Sequence, residues 1–255
     1  MVFSLKNVDF TIEDNKILSQ VSTTFEKGKF NAIIGPNGSG KSTLIKLFAG
    51  INKKNNGEIL YLSKEIERVN RKDFAKEVAF FFQFQYVPDE ISVEQMVSFG
   101  RSAHKKLYEK LSKDDLEIIE NAIRKCELED LRYRDLLSLS GGERQRVYLA
   151  LVLAQQPKTI ILDEPTNHLD IKYQYQMLYL ISDIMKEMDI SVICILHDFN
   201  QVLKYSDRCI VMHEGMIYAA GKTSDVINVK TIKEVFDVDS IIHKDSNGMH
   251  IDFII

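Results

Sequence analysis

The sequence predicts an α/β fold: a mainly parallel sheet carrying an inserted helical subdomain. Short apolar runs of strand length alternate with stretches of helical periodicity. One such run, residues 30–34, opens into a glycine-rich loop. Leu44, Ile45, Leu47 and Phe48 follow at helical spacing, making a strand–loop–helix unit. From about residue 92 to residue 154 the alternation stops and the pattern turns helical and charge-rich, as over residues 114–126, which reads as an insertion.

Taken in order, Phe3, Leu5 and Val8 begin a first strand and residues 17–25 form a second. Lys27-Gly28 is a turn into the strand at residues 30–34. Gly57 precedes a strand at residues 58–62, and another apolar run covers residues 78–82. Beyond the helical stretch come strands at residues 159–162, 191–196 and 209–212, with helices between them. From about Gly221 there are helical fragments at residues 224–228 and 231–236. An apolar tail at residues 250–255 then reads as a short terminal strand packed on the core. There is no internal repeat and no low-complexity linker.

Composition narrows the function classes. A net charge of −4 over 255 residues argues against a broad nucleic-acid surface, which needs a lysine and arginine excess. Cys126, Cys194 and Cys209 lie far apart and fit no metal spacing, so they read as reduced, buried thiols. The first residues show no secretory signal, and the longest apolar runs are too short to span a bilayer. Any role at a membrane therefore calls for membrane segments from other chains.

The glycine-rich loop fits G-x-x-x-x-G-K-[ST] across Gly35, Pro36, Asn37, Gly38, Ser39, Gly40, Lys41 and Ser42, with Thr43 following. Its glycines let successive backbone N–H groups converge on phosphate oxygens, and the helix starting near Lys41 adds its partly positive end. Lys41 is expected to reach the β- and γ-phosphates, and the Ser42 hydroxyl to ligate Mg²⁺. The strand at residues 159–162 ends in Asp163 and Glu164. Asp163 at the strand tip suits a metal held through water, and Glu164 is placed to polarise an attacking water. A second anion surface lies at Ser140, Gly141 and Gly142. Ser140 and Glu143 have capping-box spacing, so these residues could simply start a helix, yet the glycines also leave helical N–H groups bare.

Together, GPNGSGKST, LSGGERQ and ILDEPTNHLD resemble the nucleotide-binding domain of ABC transporters, in that family's order and approximate spacing over nearly the whole chain. The resemblance implies a P-loop NTPase (RecA-like) core with an N-terminal antiparallel β subdomain and an inserted α-helical subdomain. The core with its β subdomain would take about residues 1–85 and 155–220, the helical subdomain about 86–154, and a C-terminal extension about 221–255. It also implies MgATP hydrolysis by two cassettes packed head to tail, with Ser140, Gly141 and Gly142 acting on ATP held by the other copy.

By the same resemblance Gln83 is the glutamine-loop residue, with Gln85 as a rival, and contacts the γ-phosphate and Mg²⁺. His197 is the switch histidine that holds Glu164 and the water. Asp170 touches the partner subunit, and Phe10 stacks on adenine unless it is a core residue. The implied partners are a second cassette (a homodimer), integral membrane permease subunits and, indirectly, a substrate-binding protein, with no nucleic acid. The implied location is the cytoplasmic face of the cell membrane, as a peripheral subunit. Residues 93–101 and 169–174 are similar to the importers of ferric siderophores, haem and vitamin B12, which favours iron–siderophore uptake, with haem, B12, zinc or manganese as alternatives. A non-transport ABC ATPase is disfavoured, because a second cassette, a charged linker and long coiled coils are all lacking in this sequence.

Overall fold

The computed structural model describes residues 1–82, 90–106, 108–245 and 248–254. The first strands, β1 (Phe3–Ile12) and β2 (Asn15–Phe25), pair antiparallel. The phosphate loop joins β3 (Phe30–Ile34) to α1 (Lys41–Phe48). Next come β4 (Asn56–Tyr61), β5 (Lys64–Glu65) and α2 (Arg71–Glu77). With β1 and β2, strands β4 and β5 complete an antiparallel sheet of order β2-β1-β4-β5.

The larger sheet has the order β10-β9-β3-β8-β7-β6. Its strands are β6 (Val78–Phe81), β7 (Thr159–Asp163), β8 (Ser191–Ile195), β9 (Arg208–His213) and β10 (Met216–Lys222), together with β3. All neighbours run parallel except β10, which returns antiparallel on β9. Both faces of the parallel strands are buried, which is why those strands read as continuous apolar runs. Alternation still shows in the packing. Ile160, Leu162, Val192 and Cys194 face one core cluster, while Ile161, Ile193 and Ile195 face another that includes α1 and the antiparallel sheet. All three cysteines are buried and free, as expected.

Between β6 and β7 the described residues hold three helices, α3 (Val93–Ser98), α4 (Lys113–Lys125) and α5 (Gly141–Ala154), together with 3-10 turns. Each begins with a capping box, at Ser92/Gln95, Ser112/Asp115 and Ser140/Glu143. Inside this region Asp115 is buried against cations. One of its oxygens accepts from Arg101 Nε at 2.9 Å, and the other meets Lys105 and the Ser112 hydroxyl. The Arg101 guanidinium also donates to the Ala154 carbonyl, 2.7 Å away, which ties α5 to the turn after α3.

The remaining helices are α6 (Ile171–Met188), α7 (Phe199–Tyr205), α8 (Thr223–Val226) and α9 (Val229–Phe236). The chain then forms a hairpin of β11 (Asp239–Asp245) and β12 (Gly248–Ile254). The terminal strand expected from the apolar tail exists, but it pairs with β11 in a separate two-stranded sheet and joins neither larger one. The hairpin sits on α7 and α9. The Asn200 side chain accepts from Ile251 N–H at 2.8 Å and donates to Ile251 C=O at 3.2 Å, and Phe199 packs against Phe236 and Phe253.

Candidate nucleotide site

Three parallel strands end at one edge of the larger sheet. β8 lies between β3 and β7, so Gly35, Leu196-His197 and Asp163-Glu164 all emerge at the carboxyl ends of neighbouring strands. In open α/β sheets that crevice is where ligands bind.

The loop after β3 has little freedom to vary. A side chain at Gly35 would lie 2.2 Å from the Met212 carbonyl oxygen, so only glycine fits. Gly40 occupies the left-handed region at φ 96°, and a Cβ there would meet Leu18 at 2.6 Å. No side chain caps the start of α1, so its first N–H groups remain available to an anion. Lys41 is buried and its ammonium donates to the carbonyls of Gly35 (2.8 Å) and Pro36 (2.9 Å). Burial pushes this ammonium below the ordinary lysine range, against the opposing pull of Glu164 and Asp163. A positive charge held under such tension gains from an arriving phosphate.

The Ser42 hydroxyl donates to Asp163 Oδ1 at 3.0 Å, joining the loop to the tip of β7. Burial raises the Asp163 carboxyl above the usual carboxylate range; the Ser42 bond opposes the shift and the charge of Glu164 adds to it. Hydroxyl and carboxylate oxygens are the hard donors Mg²⁺ prefers, and a buried carboxylate held above its ordinary range is one that a divalent ion would stabilise. The residues present therefore fit that ion.

Glu164 is gripped from both sides. His197 Nε2 donates to its Oε1 at 2.6 Å and Asn167 Nδ2 to its Oε2 at 2.9 Å. Its backbone is left-handed, at φ 54°, in the turn closed by Asn167 N–H to Glu164 C=O. The sequence reading missed Asn167, although its position three residues after Glu164, within DEPTN, is turn spacing.

The other expected residues fare differently. Ser140 caps α5. Its hydroxyl accepts from Glu143 N–H at 3.4 Å, and the Ser140 hydroxyl and amide both donate to Glu143 Oε2, which holds that carboxyl below its ordinary range. The capping box is thus real, and the surface is open as well, since a Cβ on Gly141 would meet nothing within 4 Å. Asp170 is exposed at the start of α6 and makes no side-chain cap. Gln83 and its rival Gln85 lie outside the described residues.

Phe10 takes the core alternative. Its ring is in the core, 7% exposed, and does not lie open beside the loop. The exposed apolar side chain at the end of β1 is Ile12, at 50%. The β1–β2 hairpin abuts the phosphate loop through Ile17 and Leu18, which a Cβ on Gly40 would strike.

A phosphate loop, an acid pair and a histidine on one sheet edge, with a glycine-led helix start elsewhere in the chain, form a set that sequence families can test. The family model described as "ABC transporter" matches residues 18–167. The chain belongs to the ABC transporter family. This cassette is 34% identical over 245 residues to a petrobactin import ATP-binding protein of Bacillus anthracis, covering 96% of this chain and 90% of the relative. It is 33% identical over 232 residues to an iron(3+)-hydroxamate import ATP-binding protein of Bacillus subtilis, covering 91% and 86%. Among solved structures, an inward-facing metal-chelate type ABC transporter, described as putative, contains a chain that superposes with TM-score 0.85 at 26% identity, covering 99% of this cassette and 96% of that chain. The cassette binds ATP and is an ATPase of a transport system. No helix among the described residues is long and apolar enough to cross a membrane.

Proposed function

We propose that this cassette energises import of an iron–siderophore complex by hydrolysing MgATP between two copies of itself. The observation that carries the catalytic half is the double grip on Glu164, which aims a carboxylate at the edge where the phosphate loop, Asp163 and His197 converge. Glu164 takes the proton of the attacking water as general base, while His197 and Asn167 hold it in register. Lys41 and the bare N–H groups at the start of α1 neutralise the phosphate oxygens. Ser42 and Asp163 would hold Mg²⁺, which supplies charge neutralisation at the phosphates when bound. Gln83 would sense the same phosphate. Ile12, in place of Phe10, offers its apolar side chain to the base.

Ser140, Gly141 and Gly142 close over ATP held by the other copy, and Asp170 meets that copy. The helical region between β6 and β7 seats a permease subunit at the cytoplasmic face of the membrane. Cargo follows from the relatives, whose names specify petrobactin and iron(3+)-hydroxamate import.

Two experiments test these halves. Glu164→Gln should retain ATP and accumulate as an ATP-bound dimer by light scattering, and adding Ser140→Arg should abolish that dimer. A Glu164→Gln protein that stays monomeric with ATP bound would refute the paired site. Cells lacking this chain should lose uptake of radiolabelled ferric hydroxamate, and undiminished uptake with loss of haem, B12 or zinc import would reassign the cargo.

A further inference from the structure

The C-terminal hairpin carries a group of residues that nucleotide chemistry does not use. His243 and His250 are directly opposed in the β11–β12 register, and Asp252 lies two residues further along β12, diagonal to His243. Residues two apart share a face of a strand, so all three side chains project from the hairpin's outer side, where all are exposed. One ligand atom from each, a ring nitrogen or a carboxylate oxygen, lies within 4.8 Å of the other two. The imidazole rings stack with centroids 4.9 Å apart, inclined at 16°. His243 Nε2 is 3.2 Å from Asp252 Oδ2.

That last separation has a bearing on ligation. Two ligand atoms at about 2.0–2.1 Å from a tetrahedral ion lie roughly 3.3 Å apart, so one edge of a coordination tetrahedron is already formed. The other edges need movements of about an ångström from exposed side chains. Asp245, two residues from His243 on β11, has its Oδ2 4.0 Å from His250 Nδ1, beyond hydrogen-bond reach but close enough to add negative charge beside the group. The backbone under this group is fixed. Ile251, between His250 and Asp252, is buried and is bonded at both its N–H and its C=O by Asn200, which holds its two neighbours facing outward.

We propose that His243, His250 and Asp252 form a binding site for one divalent transition-metal ion on the C-terminal hairpin. Two neutral imidazoles and a carboxylate suit zinc and ferrous iron and are a poor match for Mg²⁺, which favours an all-oxygen octahedron. A fourth position is left to water, as in open three-ligand sites.

The test uses the intact, chelator-treated chain in excess Mg²⁺, titrated with Zn²⁺ against a chromophoric chelator. The double variant His243→Gln/His250→Gln should bind one zinc fewer per chain than the parent. Asp252→Asn should weaken that site by about tenfold or more. Equal stoichiometry in parent and double variant overturns the proposal, and unchanged affinity in Asp252→Asn overturns the three-ligand site. A readout on the unmutated chain guards against misfolded variants. Sub-stoichiometric Zn²⁺ should shift the imidazole nitrogen resonances of His243 and His250, and shifts confined to the other histidines overturn the assignment.

Discussion

Asp115 and Asp163 are the same residue type, almost equally buried at 4% and 3%, and the protein treats them in opposite ways. Burial alone would raise both carboxyls. At Asp115, in the helical region, Lys105, Ser112 and Arg101 overcome burial and hold the carboxyl well below its ordinary range. At Asp163, on the sheet edge, burial prevails over the Ser42 bond and the charges of Lys46 and Lys41, and the carboxyl is raised. The first aspartate is neutralised by the chain itself and fastens α4 to the turn after α3. The second is left under-neutralised, which costs stability and creates affinity for a cation. A buried acid whose charge the fold already satisfies is architecture; one whose charge the fold leaves open is a site.

The largest expected effect separates the two regions by activity. Glu164→Gln should lower ATP turnover about 10²- to 10⁴-fold, the usual contribution of a general base, while leaving the unfolding midpoint near that of the parent; steady-state phosphate release and thermal melts measure both. Asp115→Asn should do the reverse. Removing one partner of a buried ion pair costs about 3–5 kcal/mol, read by urea unfolding, with turnover per folded molecule preserved.

The pH dependence should divide the same way. Asp115 has a depressed folded-state value, so its stabilisation is fully present above the unfolded value of about 3.9 and is lost as pH falls below it. Asp163 has a raised folded-state value, so protonating it on acidification relieves a strain in the fold and removes the proposed metal ligand. Mg²⁺-dependent ATP binding should therefore weaken at a higher pH than the one at which the helical region begins to lose stability. Coincident transitions by calorimetry and unfolding would contradict the contrast. The smallest effect concerns the base: Ile12→Ala, at a half-exposed position, should weaken ATP binding by about 1 kcal/mol or less with no change in the melting temperature.

Most of this is legible in the sequence, and each miss has its own physical cause. Strands buried on both faces announce themselves as apolar runs, so β3, β6, β7, β8 and β9 were read directly. β10 and β11 were missed because edge and surface strands carry no such run. Burial alternates along β10, with Met216 and Tyr218 partly in solvent, and β11 reads Asp-Ser-Ile-Ile-His-Lys-Asp. The loop motif, the acid pair and His197 are local signals following strand ends, and they converge because those strands are neighbours. Phe10, open between stacking and the core in the sequence, was undecided for a geometric reason. Phe10 and Ile12 are two residues apart on one strand, and pattern alone does not say which has passed beyond the core, particularly where the β1–β2 register shifts between Phe10 and Thr11. Asn167 left only a weak trace, a turn residue beside a more conspicuous acid.

The left-handed backbone of Glu164 has a consequence for anyone improving this protein by selection. A non-glycine residue at φ 54° is held about 1 kcal/mol or more above what glycine would require there. A search that rewards heat resistance alone would therefore favour glycine at this position and would discard the carboxylate proposed here as the general base. Robustness and turnover compete at this one residue, and only a screen that scores both would keep it.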